Sequence, residues 1–218
     1  KSRALAVECD VTDEASVAAA ADEVVRTLGR LDVAIANAGF AVNGRIAKLT
    51  AEDWRRQLDT NVVGCAMTAK YAIPALEKTG GRVALVGSVA SVVPTPGVGA
   101  YSASKFAVRS MGMTLSIELA GTGVSCTTIH PGYVESDIAQ VDASGKHDPS
   151  RPDDRPKQLL WKADKAARVI IDAIDRRERE FVFTAHGKLG VFIGQHAPGL
   201  VPLVLSAAGM TGRRKKRA

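Results

Sequence analysis

The 218 residues carry 29 Lys and Arg against 23 Asp and Glu, a formal net charge of +6, with 46% apolar and 24% charged residues. These proportions exclude wholesale disorder, and the length suits one domain able to bury a real core. Five of the bases stand in the run 213–217, so the remainder is close to neutral, which excludes a broad basic face for nucleic acid.

Residues 4–9, Ala-Leu-Ala-Val-Glu-Cys, read as a short strand that Asp10-Val11-Thr12-Asp13 ends. A helix follows, with Val17, Ala20, Ala21, Val24 and Leu28 at helical spacing and Gly29 as its stop. Residues 31–36 are again strand-like, and strand, helix and strand in succession imply a parallel sheet with crossover helices. Asn37-Ala38-Gly39 closes that strand, either as a plain turn or as the strand end where open α/β sheets take ligands. Thr50 with Glu52 and Asp53 marks the start of a helix running to about Lys78, which Pro74 kinks or ends. Its middle, residues 62–67, is apolar nearly all round and predicts cover on more than one side, by the sheet and by a partner subunit.

Residues 82–87 form the next predicted strand, and a loop marked by Pro94, Pro96, Gly97 and Gly99 leads into a helix at about Tyr101. Tyr101 and Lys105, four apart, then share a helix face with Cβ atoms roughly 5–6 Å apart. A phenol with a pKa of about 10 is a poor acid or base at neutral pH. An ammonium about 5 Å away at an effective dielectric of about 20 favours the phenolate by roughly 3 kcal/mol, about two pKa units. Such a pair is expected about 0.2 times by chance in this composition, and about 0.01 times with Ser88 thirteen residues ahead.

Residues 124–129 are a further strand ending in His130-Pro131-Gly132-Tyr133-Val134-Glu135-Ser136. Residues 140–155 are polar and proline-rich, which predicts a loop. Residues 163–177 form an amphipathic helix with Ala166, Ala167, Ile170, Ile171 and Ile174 inward, and 180–184 a last strand. Residues 187–210 are strongly apolar but broken by prolines and glycines. They suit two short helices that close an apolar pocket or pack on a neighbouring subunit, with an interfacial membrane anchor beside the basic tail as the alternative. Cys9, Cys65 and Cys126 are odd in number and widely spaced, as expected of reduced core cysteines in a cytoplasmic protein, and their spacing offers no metal site.

The ordered set of Asn37-Ala38-Gly39, Asn61, Ser88, Tyr101-x-x-x-Lys105 and Pro131-Gly132-x-Val134-x-Ser136 resembles the short-chain dehydrogenase/reductase family over about residues 4–184. The resemblance implies a Rossmann-like, doubly wound parallel α/β sheet and an oxidoreductase that passes a hydride between NAD or NADP and a secondary alcohol or carbonyl. In the family the tyrosine exchanges the substrate proton, the lysine lowers its pKa and holds the nicotinamide ribose, and the serine steadies the substrate oxygen. These roles fall to Tyr101, Lys105 and Ser88, with Asn61 holding a water in a proton relay. The same resemblance lays Asp10 and Val11 against adenine, Asn37, Ala38 and Gly39 against the adenosine half, and Pro131, Gly132, Val134 and Ser136 against the carboxamide. It also makes 140–155 a flap over the substrate.

The family's opening strand, Gly-rich phosphate turn and helix have no counterpart in these residues, so the first βαβ portion is expected to be missing and the choice of NAD or NADP cannot be read. The expected organisation is a core at 1–186 and an apolar, basic-tailed extension at 187–218. Expected partners are a small, lipophilic alcohol or carbonyl and further copies of the chain as a homodimer or homotetramer, with membrane contact through 187–217 as an added possibility. The competing reading is a catalytically silent relative that binds or regulates.

Overall fold

The computed structural model describes residues 4–142, 146–153, 155–207 and 209. The basic run at 213–217 lies outside the described residues. Asp13 caps the first helix, α1 (Glu14–Leu28), by accepting the Ala15 N–H, and Gly29 closes it at φ 85. Thr50 and Asp53 form a reciprocal capping box on α2 (Ala51–Leu58). The chain then continues through a π-helical turn, Asp59–Val63, into α3 (Gly64–Glu77). Pro74 stands in the last turn of α3 without ending it.

Four parallel strands, β1 (Val33–Ala36), β2 (Arg82–Val86), β3 (Ser125–Ile129) and β4 (Glu180–Phe181), lie side by side in chain order. Alternate residues supply two cores. Val83, Leu85 and Cys126 pack with α3 and α4 (Gly99–Glu118) on one face, and Ala84 and Ile129 with α5 (Ala163–Asp175), Trp161 and Phe183 on the other. This is the doubly wound α/β arrangement that the sequence predicted. Helix α4 crosses β3 so closely that a Cβ at Gly112 would overlap Thr128 Oγ1.

Several expectations are corrected. Residues 4–9 form no strand: they run mostly exposed and join none of the four strands, and an extended segment without a ladder partner has no hydrogen bonds to hold it. Accordingly Cys9 is exposed, unlike the buried Cys65 and Cys126. On α5 the inward stripe is Ala166, Ile170, Ala173 and Ile174. Ala167 and Ile171 lie exposed one position round the helix, the latter at 59%.

The C-terminal part holds two helices, as expected: α6 (Ala185–His196) and, after a 3-10 turn at Pro198–Leu200, α7 (Val201–Ala207). The pair is bent by 115°, and among the described residues no single helix is long and apolar enough to cross a membrane.

Candidate active site

The carboxyl ends of β1, β2 and β3 carry the predicted chemistry. Ser88 follows β2 and caps a 3-10 turn (Val89–Ser91), accepting the Ala90 N–H at 3.1 Å. Helix α4 begins two residues before Tyr101, so Tyr101 and Lys105 rise on one face. Lys105 is 5% exposed, donates from Nζ to the Val86 carbonyl at 2.7 Å and lies 5.7 Å from the centroid of the half-buried Tyr101 ring.

The electrostatics differ from the sequence estimate. Burial raises the Tyr101 pKa, and a hydrogen bond with the Ser88 side chain pulls the other way. The ammonium, engaged by Val86 and set over the ring rather than at the hydroxyl, does not overcome that burial. Lys105 itself is pushed down to about 8 by burial, with the neighbouring Cys65 opposing, while burial lifts the Cys65 thiol to about 11.

A lysine whose folded-state pKa is depressed destabilises the fold while protonated, and that penalty fades as pH rises through the folded value toward the unfolded one. Relative to Lys105→Met, the parent protein should therefore gain stability between about pH 8 and about pH 10.5, by on the order of 3 kcal/mol. Urea denaturation of both proteins at several pH values measures this. A difference that stays flat across that window rejects the assignment of the shift to burial.

Asn61 sits in the π-helical turn, a feature frequent at functional sites, and is 1% exposed. Its Nδ2 donates to the Phe40 carbonyl and to Ser104 Oγ, each at 3.0 Å, and its Oδ1 accepts the Phe40 N–H at 3.1 Å. Ser104 in turn donates to the Tyr101 carbonyl at 2.7 Å. The Asn61 amide thus ties the loop after β1 to the helix that bears Tyr101. Gln57, fully buried, anchors the same loop through Phe40 O and Val42 N.

A second buried chain was not foreseen. Ser91 Oγ donates to the Ser88 carbonyl and lies 2.9 Å from His130 Nδ1, which also approaches Ser88 O at 3.2 Å. The other ring nitrogen, Nε2, faces Glu180 Oε1 across 3.5 Å. Glu180 accepts two bonds from Arg109, one turn beyond Lys105 on α4, and His130 with Arg109 holds its carboxyl down at about 2. The circuit closes from Ser88 back to the Tyr101 helix. The sequence held one signal for it, a histidine at the end of one strand and an acid at the start of the next, but only the β3–β4 register brings the two together.

The remaining predicted residues divide. Gly39 adjoins the centre: a Cβ there would stand 3.0 Å from Asn61 Oδ1 and 3.7 Å from Lys105 Nζ, and Asn37, Ala38 and Gly39 are exposed. Pro131 accepts the Val89 N–H beside Ser88. Val11 packs on Gly64 at the end of the π-helical turn, and the Asp10 carboxylate is held below its usual range by bonds from Thr12. Gly132 abuts Thr184 and His186, while Val134 bridges to Trp161 and Arg155 binds the carbonyls of Val134 and Ser136. The bare backbone at Gly39 stands open to solvent beside the buried Lys105 ammonium. A separate depression of about 380 Å³ at the opposite, amino end of the strands, between Leu119 and Arg179, holds none of the predicted residues.

A family model described as short chain dehydrogenase matches residues 1–146. The chain is 30% identical over 210 residues to an uncharacterized oxidoreductase of Schizosaccharomyces pombe, covering 89% of this chain and 72% of that one. It is 36% identical over 143 residues to an uncharacterized NAD-dependent oxidoreductase of Mycobacterium tuberculosis, covering 65% of this chain and 52% of the other. The chain thus spans about half the length of that relative. Among solved structures, an alcohol dehydrogenase from Thermococcus sibiricus complexed with 5-hydroxy-NADP superimposes with a TM-score of 0.68 at 26% identity, over 81% of this chain and 72% of that one.

Proposed function

The chain belongs to the short-chain dehydrogenase family, and from that premise we propose that it is part of an oxidoreductase moving a hydride between NAD or NADP and a secondary alcohol or carbonyl. The observation that carries this reading is the convergence of Ser88, Tyr101 and Lys105 at the carboxyl end of β2. The nicotinamide supplies the hydride acceptor or donor. Lys105 and the backbone at Gly39 would hold its ribose side, with Asn37 and Ala38 beside them.

In the oxidative direction the alcohol O–H would give its proton to Tyr101 in its phenolate form while the alcohol C–H leaves as hydride to the nicotinamide. In reduction the phenol returns the proton to the carbonyl oxygen. Ser88 orients that oxygen. A buried lysine with a pKa of about 8 is matched to passing protons near neutral pH. The Asn61 amide holds the Tyr101 helix and the loop after β1 in place.

The test is a screen of the protein with both cofactors and a range of secondary alcohols and ketones, with dinucleotide binding followed separately by fluorescence. Turnover of a secondary alcohol or its ketone supports the reading. Absence of both turnover and dinucleotide binding rejects it.

We read the protein as self-associating, and the exposed stripe on α4 favours this. Phe106, Met113 and Ile117 are 43%, 52% and 75% exposed at helical spacing, and Val63 nearby is 46% exposed. Ile117→Asp is expected to shift the sedimenting species toward monomer. An unchanged oligomer would place the interface elsewhere.

A further inference from the structure

Helix α6 has two unlike faces. Gly187, Gly190 and Gly194 bring one face against the turn that follows Ser88, where added Cβ atoms would stand 2.9 Å from Val89, 3.5 Å from Val93 and 2.7 Å from Val92. The other face presents Leu189 and Phe192 at 62% and 60% exposure. After the 115° bend, Leu200, Leu203 and Val204 add 50%, 65% and 48%. These five side chains leave about half or more of their surface open to solvent.

Charge is segregated onto the same part of the chain. Glu180 is the last acid, and residues 181–218 contain six Lys and Arg, at 188 and 213–217, with no Asp or Glu. The entire net charge of +6 therefore belongs to this segment. We propose that α6 and α7 lie in the surface of an anionic membrane, with Leu189, Phe192, Leu200, Leu203 and Val204 among the lipid chains and the positive charge of this part of the chain attracted by the lipid phosphates.

Charge favours lipid over a second copy of the chain, and helix length favours the membrane surface over a crossing. Self-association through this face would bring two segments of +6 together, whereas anionic headgroups neutralise them. A bent pair of short helices suits an interfacial position, because neither arm is long enough to span. The seat of α6 on the Val89–Val93 turn then sets the Ser88 end of the sheet at the bilayer surface, where a lipophilic substrate is concentrated.

The experiment is co-sedimentation of the full chain with vesicles of phosphatidylcholine alone and of phosphatidylcholine mixed with phosphatidylglycerol. Binding to the mixed vesicles should be at least about ten-fold stronger and should weaken with added salt. Phe192→Ser combined with Leu203→Ser should abolish it, and changing all five bases at 213–217 to Gln should remove the preference for anionic lipid. If the double variant melts early, the Gln variant carries the test. No pelleting with either vesicle, or equal pelleting with both, overturns the proposal. So does a double variant that changes oligomeric size but not vesicle binding, which would give the face to a second copy. Because the readout is binding, it stands or falls apart from the catalytic reading.

Discussion

Tyr101→Phe is expected to slow turnover by roughly 10²–10⁴-fold while leaving dinucleotide affinity and melting temperature nearly unchanged. The ring remains, so the packing around it and its place beneath the Lys105 ammonium at 5.7 Å persist. Only the hydroxyl is lost, the group proposed above to exchange a proton with the substrate oxygen. Burial raises the phenol's pKa while the Ser88 hydrogen bond lowers it, so Ser88→Ala should move the alkaline limb of the rate profile upward as well as weaken substrate orientation. Steady-state rates of the parent and both variants, with parallel cofactor titrations, measure these effects. A phenylalanine variant turning over within about threefold of the parent would remove the tyrosine from the chemistry.

The largest stability effect is expected at Gly112. A side chain there meets Thr128, whose Cβ would be 3.1 Å from the new Cβ and whose Oγ1 it would overlap. Both residues are buried where α4 crosses β3, and neither helix nor central strand can move without disturbing the core of Val83, Leu85, Val108 and Cys126. Gly112→Val is expected to cost about 3 kcal/mol or more and Gly112→Ala somewhat less, despite alanine's better helix propensity. Adding Thr128→Ala to the alanine variant should recover part of the loss, because it removes the obstructing atoms. Urea denaturation of the parent, Gly112→Ala, Thr128→Ala and the double variant gives the coupling, and simple additivity would show that the crossing distance is not what requires glycine.

Much of the fold was legible because the informative signals were local. The Asp13 and Thr50 caps depend on a side chain reaching backbone two or three residues on. The Tyr101–Lys105 face depends only on the helical repeat. The signals that misled were those whose meaning depends on a distant partner. Residues 4–9 have strand composition, but a strand exists only beside another. Ala167 and Ile171 fit an apolar stripe as well as Ala173 does, and only the docking of α5 on β2 and β3 selected between them. Helical spacing alone puts an ammonium near the phenol, whereas burial, which only the assembled fold creates, raises the phenol's pKa.

The sequence by itself determined the helices and most strands, the parallel sense of the sheet, and the presence of Ser88, Tyr101 and Lys105 at positions where a strand end and a helix could bring them together. Tertiary structure decided what those groups touch. It gave the lysine to the Val86 carbonyl, Asn61 to Phe40 and Ser104, and His130 to a circuit of Ser91, Glu180 and Arg109. The physical reason is range. Backbone propensity and periodicity act over a few residues and are written locally, whereas burial and hydrogen-bond partnership join residues tens of positions apart and come into being only when the sheet is assembled.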